Sequence, residues 1–370
     1  MKTFEKIFKT DEISKRERMC CALAGQKPDR APLHEQLSYN PDVISHFSGR
    51  DCSHYNFSAK DVGLAIQKTL DSCFIPLNPR GTDTYTDSDG FTYKNDNWTA
   101  WHLSRPFTDE EGARDWLIKK IKRAEEHKRA FDPNRERENY RRYFSGIQEM
   151  IGETVFIDYS IGTGFCDVFD KMGLEIYTFF SFEYPDTLLD YMEISAANAE
   201  AKVRVCGGSD LSPVVLIAED FSTKQGPIFN DEFLRKFHYP YVMRLTNAWH
   251  NTGVKVIYHS DGNYKRVIPD LINCGVDGFY CLEPGCGMDI VELSRLYPRM
   301  LFSGSMDGVD LMERGAPEMV FSEARRQIRE TGVLERGRML LASSSEINPT
   351  IPKENFLAMV SAADPASPRY

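Results

Sequence analysis

The residue types best suited to chemistry in this chain are one histidine and several carboxylates that directly follow short apolar runs. His259 and Asp261 stand two positions apart after one run, and Glu219 and Asp220 follow Val214–Ala218. A histidine and a carboxylate at this spacing can face one cavity, where either can bind a metal ion or hold a proton. We therefore predict four catalytic residues: His259, Asp261, Glu219 and Asp220. Three of them are also candidate metal ligands, with zinc as the metal: His259, Asp261 and Glu219.

The apolar runs belong to an alternation of predicted strands and helices along the chain. Each helix would be the crossover between two parallel strands, and glycines stand near several helix ends. The predicted strands are 31–34, 73–76, 154–158, Val214–Ala218, 254–258, 276–281, 300–303 and 338–342. Eight parallel strands with crossover helices indicate a single (β/α)8 TIM barrel. An open doubly wound sheet is the alternative, and the absence of a GxGxxG motif after the first strand disfavours it.

Two segments fall outside this alternation. Residues 82–102 are typical of a polar β-hairpin around Asp89-Gly90, and residues 109–150 form a long, charged helical region. We interpret both as insertions into one domain that spans residues 1–370 and begins with an N-terminal extension. Residues 364–370 contain two prolines and are predicted to be a flexible tail.

Active sites of (β/α)8 barrels lie at the carboxyl ends of the strands. Polar and aromatic residues recur at or near these positions along the chain, although polar residues also appear there simply because strands leave the core. The predicted substrate-binding residues are Glu35, Tyr39, Tyr159, Phe165, Glu283, Asp307 and Ser345.

Composition excludes several classes of protein. The 370 residues carry 45 Lys+Arg against 55 Asp+Glu, and this net charge of −10 argues against nucleic-acid binding and against docking on an anionic membrane. No run approaches the roughly 20 apolar residues of a membrane helix. We expect a cytoplasmic protein whose nine cysteines, without a CxxC motif, are mostly free thiols. Cys281 and Cys286 bracket Glu283 and, with His259, form an alternative thiolate zinc site.

Several short segments, in this order, resemble the uroporphyrinogen decarboxylase-like superfamily. They are 14–33 (SKRERMCCALAGQKPDRAPL), 225–228 (QGPI), 239–241 (YPY), 259–263 (HSDGN), 275–278 (GVDG), 304–307 (GSMD) and 351–355 (IPKEN). The resemblance implies a (β/α)8 barrel, in agreement with the strand count. It leaves the activity open, because this superfamily carries out at least two chemistries.

The chain departs from both of the better-known branches. Uroporphyrinogen decarboxylases have an arginine-rich segment after the first strand, whereas residues 34–40 (HEQLSYN) hold an acid and no arginine. Zinc methyltransferases of the superfamily have His-x-Cys after strand five and a cysteine near strand eight. This chain has Asp261 at the first cysteine position and serines, including Ser345, near the second.

The remaining resemblance is to methyltransferases that demethylate small substrates. It implies methyl transfer from a small methylated donor, with an aryl methyl ether as the first choice, to the cobalt of a corrinoid that is free or carried by a partner protein. The leaving phenolate would need a proton or a cation. Homodimers are frequent in the superfamily. The alternatives are decarboxylation of a porphyrinogen or related acid, and a binding protein or lyase on the same barrel.

Overall fold

The computed structural model describes residues 4–37, 39–208 and 210–367. These residues form thirteen strands in four sheets. The strands are β1 His34–Glu35, β2 Ser72–Cys73, β3 Thr84–Thr86, β4 Thr92–Asp96, β5 Thr99–Ser104, β6 Val155–Phe156, β7 Val214–Ala218, β8 Ser222–Thr223, β9 Gly226–Pro227, β10 Lys255–His259, β11 Gly278–Tyr280, β12 Leu301–Ser303 and β13 Met339–Leu340.

Eight of these strands close into a parallel barrel. β1, β2 and β6 pair in one sheet, and β7, β10, β11, β12 and β13 pair in another, all in parallel. Two parallel bridges, Asp158 to Val215 and Leu33 to Leu341, join the edges of the two sheets. Each of these eight strands overlaps one of the eight predicted from sequence, so the predicted α/β fold of parallel strands with crossover helices is confirmed.

Helices surround the barrel. They are α1 Lys15–Ala24, α2 Pro41–Ser48, α3 Ala59–Thr69, α4 Glu110–Arg129, α5 Pro133–Ile151, α6 Phe165–Met172, α7 Leu174–Glu183, α8 Pro185–Cys206, α9 Asp231–Phe237, α10 Tyr239–His250, α11 Ile268–Asn273, α12 Ile290–Leu296, α13 Pro317–Thr331, α14 Val333–Arg336 and α15 Lys353–Ala362. None of the described helices is both long and apolar enough to cross a membrane.

Side chains of the barrel strands alternate between two apolar clusters, as the period of two in a strand requires. In β10, Ile257 packs inside the barrel with Leu216 and Tyr280, whereas Val256 and Tyr258 pack outward against the helices. Helix α1 supplies three side chains to the interior cluster, namely Met19, Ala22 and Leu23. The N-terminal extension thus packs against the barrel interior.

The two segments predicted as insertions have more structure than expected. Residues 82–102 lie in a three-stranded antiparallel sheet, β3–β4–β5, because a second turn at Asn97, where φ is +41°, follows the expected turn at Gly90. Residues 109–150 form α4 and α5. Helix α5 packs between α3 and α8 and against β6, as a crossover helix does, while α4 lies outside it on α7 and α8.

A buried ion cluster lies at the beginning of the barrel strands. Asp71 precedes β2, and its carboxylate accepts hydrogen bonds from Arg18 at 2.6 Å, from Arg30 at 2.7 Å and from the Leu33 backbone N–H at 2.8 Å. Burial alone would raise the pKa of Asp71, but Arg30 and Arg18 outweigh it and hold the pKa below its ordinary value. The cluster ties the segment before β1 to the segment before β2.

We expect Asp71→Asn to lower the free energy of unfolding by about 3–5 kcal/mol, because it removes the buried carboxylate that both guanidinium groups share and leaves them only Asp11 and Asp29. Urea denaturation checks this. Asp115→Asn, which removes an exposed carboxylate on α4, is the control and should stay within about 0.5 kcal/mol. Equal stability of the two variants would show that the ion cluster does not hold the barrel together.

Candidate active site

The register of three neighbouring strands brings the predicted catalytic residues together. His259 ends β10 and lies beside Ala218 at the end of β7 and beside Tyr280 at the end of β11. Because all three strands are parallel, the residues that follow them emerge at the same mouth of the barrel. The chain reaches Asp220 two residues after β7 and Asp261 two residues after β10.

His259 and Asp220 form a pair at this mouth. The His259 Nε2 atom lies 3.1 Å from Asp220 Oδ1 and 3.7 Å from Asp261 Oδ1. Burial lowers the pKa of His259, but the hydrogen bond and charge of Asp220, with the charge of Asp261, outweigh burial and raise it. The other ring nitrogen, Nδ1, is buried and has no hydrogen-bond partner among the described residues. One nitrogen is therefore oriented by a carboxylate, and the other is available to a ligand.

Cys281 completes a group of three donor atoms. A ring nitrogen of His259, a carboxylate oxygen of Asp261 and the Cys281 Sγ atom all lie within 4.8 Å of one another. The Cys281 thiol is 3.0 Å from Asp261 Oδ1 and 2.7 Å from the Ser344 carbonyl oxygen. Burial and the neighbouring Asp261 raise the pKa of this thiol. We call these three residues the mouth centre.

The backbone of Cys281 has φ +67°, a left-handed conformation that is uncommon for a residue with a side chain. Such strain persists only where the surroundings enforce it, and it occurs frequently at functional sites. Gly304 is part of those surroundings, since a Cβ atom there would lie 2.9 Å from the Cys281 backbone nitrogen. The strained backbone supports a functional assignment for the thiol.

Glu219 lies apart from the mouth centre. Its carboxylate accepts hydrogen bonds from the Thr163 hydroxyl and, at 3.0 Å, from the Cys166 backbone N–H. Burial raises the pKa of Glu219 to about 7. The side chain fastens the loop before α6 to the end of β7. Of the three predicted metal ligands, two therefore lie together, and Cys281 takes the place expected for Glu219.

A cavity of about 300 Å³ opens beside His259. Three of its aromatic side chains, Phe74, Tyr159 and Tyr280, form a ring cluster: the Phe74 centroid is 5.3 Å from that of Tyr159 and 5.4 Å from that of Tyr280, both edge-on. The described residues that line the cavity are Gln36, Phe74, Tyr159, Cys166, Asp170, Leu216, Ala218, Asp220, His259 and Tyr280, none of them Lys or Arg. We call this space the aromatic cavity.

Three of the predicted substrate-binding residues line a second cavity, of about 390 Å³, on the Asp261 side of the mouth centre. They are Glu283, Asp307 and Ser345. Glu283 accepts a hydrogen bond from the Gly262 N–H at 2.6 Å, and Asp307 accepts from the Asp310 N–H at 2.6 Å. Both carboxylates are thus engaged in holding loops at the mouth.

Three others do not line either cavity. Phe165 is buried in the outer apolar cluster, with its ring centroid 4.7 Å from that of His238, because the wall of the aromatic cavity is formed by the next residue in α6, Cys166. Tyr39 is buried and hydrogen-bonds Arg80. Glu35 is fully buried, and its carboxyl group accepts hydrogen bonds from the Ser343 backbone N–H and hydroxyl group.

Some residues that line the aromatic cavity are additional to the predicted set. Phe74 and Tyr280 lie at strand ends, where only polar side chains and a few aromatic ones were singled out. Cys166 and Asp170 stand four residues apart on α6, the spacing that places two side chains on one helix face. This spacing could have predicted that Cys166 and Asp170 line the cavity, provided that Phe165 was assigned to the apolar face of the helix.

We expect Glu35→Gln to make the protein more stable than the wild type at pH 9 and equally stable at pH 4. Burial raises the pKa of Glu35 to about 8, so ionisation of this carboxyl opposes folding increasingly between about pH 4.5 and 8. Glutamine keeps an acceptor oxygen and removes that cost, which is at most about 1.4 kcal/mol per pH unit. Thermal unfolding of both proteins at the two pH values checks this, and identical pH dependence would contradict it.

Comparisons with known proteins agree with the fold. Residues 182–365 match the family model described as uroporphyrinogen decarboxylase (URO-D). A methyltransferase from Methanosarcina mazei is a similar solved structure, with a TM-score of 0.65 at 15% sequence identity, over 95% of this chain and 99% of that chain. No match was found among curated proteins. At 15% identity, this structural likeness is evidence for the fold alone.

Proposed function

Because residues 182–365 match the URO-D family model, we propose that the barrel mouth is the active site of a methyltransferase that moves a methyl group from a small donor to a corrinoid cobalt. The observation that carries the proposal is the aromatic cavity, where three rings face the His259–Asp220 pair at the carboxyl ends of the strands. The structural neighbour, which has the same fold, is a methyltransferase, and this agrees with the proposed class of reaction.

The donor that suits this cavity is an aryl methyl ether. Phe74, Tyr159 and Tyr280 line the space, and a bound aromatic ring can pack against them in the edge-to-face or offset arrangements that aromatic pairs favour. A volume of about 300 Å³ is at the lower end of the range for small-molecule pockets. A single substituted benzene ring would therefore fit into this space.

The cobalt of a reduced corrinoid, on a partner protein or free, supplies the nucleophile for the methyl carbon. The task of this chain is to neutralise the charge that develops on the departing phenolate oxygen. The mouth centre borders the aromatic cavity through His259, so a donor whose ring lies among the three aromatic side chains can direct its ether oxygen to that centre.

A zinc ion suits the mouth centre. His259, Asp261 and Cys281 offer one nitrogen, one oxygen and one sulfur, all of which zinc accepts, and three protein ligands with an open position are typical of catalytic zinc. The buried Nδ1 atom of His259, which has no hydrogen-bond partner among the described residues, is free to bind a metal ion. Bound zinc would act as a Lewis acid toward the ether oxygen. Asp220 would orient the imidazole ring, as carboxylates do for histidine ligands.

Porphyrinogen decarboxylation is less well supported. A porphyrinogen carries several carboxylates, which proteins bind best with arginine. The aromatic cavity has no Lys or Arg among its described lining residues and carries the carboxylates Asp170 and Asp220 instead. This charge distribution favours a neutral or cationic substrate.

We expect the purified protein to form methylcobalamin from cob(I)alamin and a methoxyphenol, followed by the change in the visible spectrum of the corrinoid. His259→Ala should lower the rate at least about 100-fold, because the leaving oxygen loses its stabilisation. His250→Ala is a matched control, since His250 forms an equivalent pair with Asp277, at 2.7 Å, away from the mouth. It should leave the rate within about twofold, as expected for a site remote from the chemistry.

Failure of every methoxyaromatic and methylamine donor to methylate cob(I)alamin would contradict the proposed function. Release of carbon dioxide from uroporphyrinogen by the same preparation would establish the decarboxylase alternative instead.

For the metal, we expect one zinc ion per chain and a zinc affinity that falls at least about tenfold in Cys281→Ser, because a hard hydroxyl group replaces a thiolate ligand. Titration against a competing chelator measures this affinity. Glu219→Gln and the exposed-cysteine variant Cys20→Ser should bind zinc as the wild type does. Equal affinity of Cys281→Ser and Cys20→Ser would remove Cys281 from the site.

A further inference from the structure

One carboxylate in the aromatic cavity has no function in the reaction described above. Asp170 lies on α6, lines the cavity, and has no hydrogen bond or ion pair with any of the described residues. Asp167, three residues earlier on the same helix, differs: it accepts a hydrogen bond from Tyr191 at 2.9 Å and pairs with Lys120 at 2.7 Å. Of these two carboxylates on α6, Asp170 is the one that lines the cavity and is left to interact with a ligand.

The packing of α6 determines where Asp170 points. Phe165 and Val168 are fully buried in the outer apolar cluster. The opposite face presents Cys166 and, one turn later, Asp170 to the cavity. Burial and the charge of Asp220 raise the pKa of Asp170 to about 6, so the group is still largely ionised at neutral pH. A carboxylate held without a counter-ion beside another carboxylate is ready to accept a hydrogen bond from a ligand.

We propose that Asp170 determines substrate specificity by accepting a hydrogen bond from a hydroxyl or ammonium substituent on the ring of the methyl donor. The inference rests on the proposed function and names the class of donor that this site takes. Asp170 and His259 line the same cavity, so a ring bound there can direct one substituent to each of them.

The charges of the cavity separate the classes of donor. The described lining of the cavity holds two carboxylates, Asp170 and Asp220, and no Lys or Arg, so its net charge is negative whether or not His259 carries a proton. A ring that bears an ammonium group gains both a hydrogen bond and charge attraction, and a hydroxyl group gains the hydrogen bond. A ring that bears a carboxylate is repelled, and an unsubstituted ring leaves Asp170 without a partner.

The test measures binding of four ligands by calorimetry without corrinoid: methoxybenzene, a methoxyphenol, a methoxybenzylamine and a methoxybenzoate. We expect the wild type to bind the phenol or the amine at least about tenfold more tightly than methoxybenzene, since a hydrogen bond to a charged group is worth about 1.5–3 kcal/mol. Asp170→Ala should bring these affinities to within about twofold of that for methoxybenzene, the precision of such comparisons.

Asp170→Asn separates the two substituents. It keeps an acceptor oxygen but not the charge, so it should retain part of a hydroxyl preference and lose an ammonium preference. Asp190→Asn, which removes an exposed carboxylate from α8, is the matched control and should bind all four ligands as the wild type does. Unchanged melting temperatures would exclude a folding defect, which is not expected for an exposed, unpartnered side chain.

The proposal is overturned if the wild type shows no preference among the four ligands, or if Asp170→Ala keeps the wild-type preference. A separate assay of methyl transfer distinguishes failure of this proposal from failure of the proposed function. Transfer at the same donor ratios in wild type and Asp170→Ala contradicts the function of Asp170 alone, whereas absence of transfer from every donor contradicts the proposed function itself.

Discussion

The site depends on the parallel register of β7, β10 and β11. This register sets Ala218, His259 and Tyr280 side by side at the mouth, so that Asp220, Asp261 and Cys281 follow within two residues. A slip of one residue in β10 would turn His259 outward toward the helices and bring Tyr258 into the mouth. The buried outward side chain of Tyr258, which hydrogen-bonds His238 at 2.8 Å, helps to fix the register from the other side.

The carboxylates at the two ends of the barrel differ in burial and in their partners. Near the beginning of the strands, Asp71 is fully buried and satisfied by two arginines and a backbone N–H, an arrangement that serves stability. At the mouth, Asp220 and Asp261 share one histidine, and Asp170 has no partner among the described residues. These three carboxylates are exposed at the mouth and remain accessible, which is why we place the ligand at this end of the barrel.

Much of the fold could be predicted from the sequence, because apolar runs that alternate with helical segments define a barrel without knowledge of any contact. The pair formed by His259 and Asp220 was accessible by the same logic of strand ends. Other features depend on contacts between distant segments: Cys281 approaches Asp261 only through a strained backbone that Gly304 makes room for.

Two further differences between the sequence predictions and the structure concern where helices break and which face of a helix a residue occupies. The sequence pattern of residues 231–251 predicts one amphipathic helix, but the structure has two, α9 and α10, which meet at His238. Pro240 lies at the start of α10 and lacks the N–H that a continuous helix requires. In α6, the position of Phe165 was expected to face the site, but its ring packs with the outer core, and Cys166 takes the cavity face. A shift of one residue turns a helical side chain by about 100°.

The most direct test of the central claim, that methyl donors react beside the mouth centre, is a crystal structure of the protein with a methoxyphenol bound. The account predicts a ring in contact with Phe74, Tyr159 and Tyr280, with its methoxy oxygen directed toward His259 and Asp261. A ring bound in the second cavity beside Asp307, or outside the barrel mouth, would contradict it.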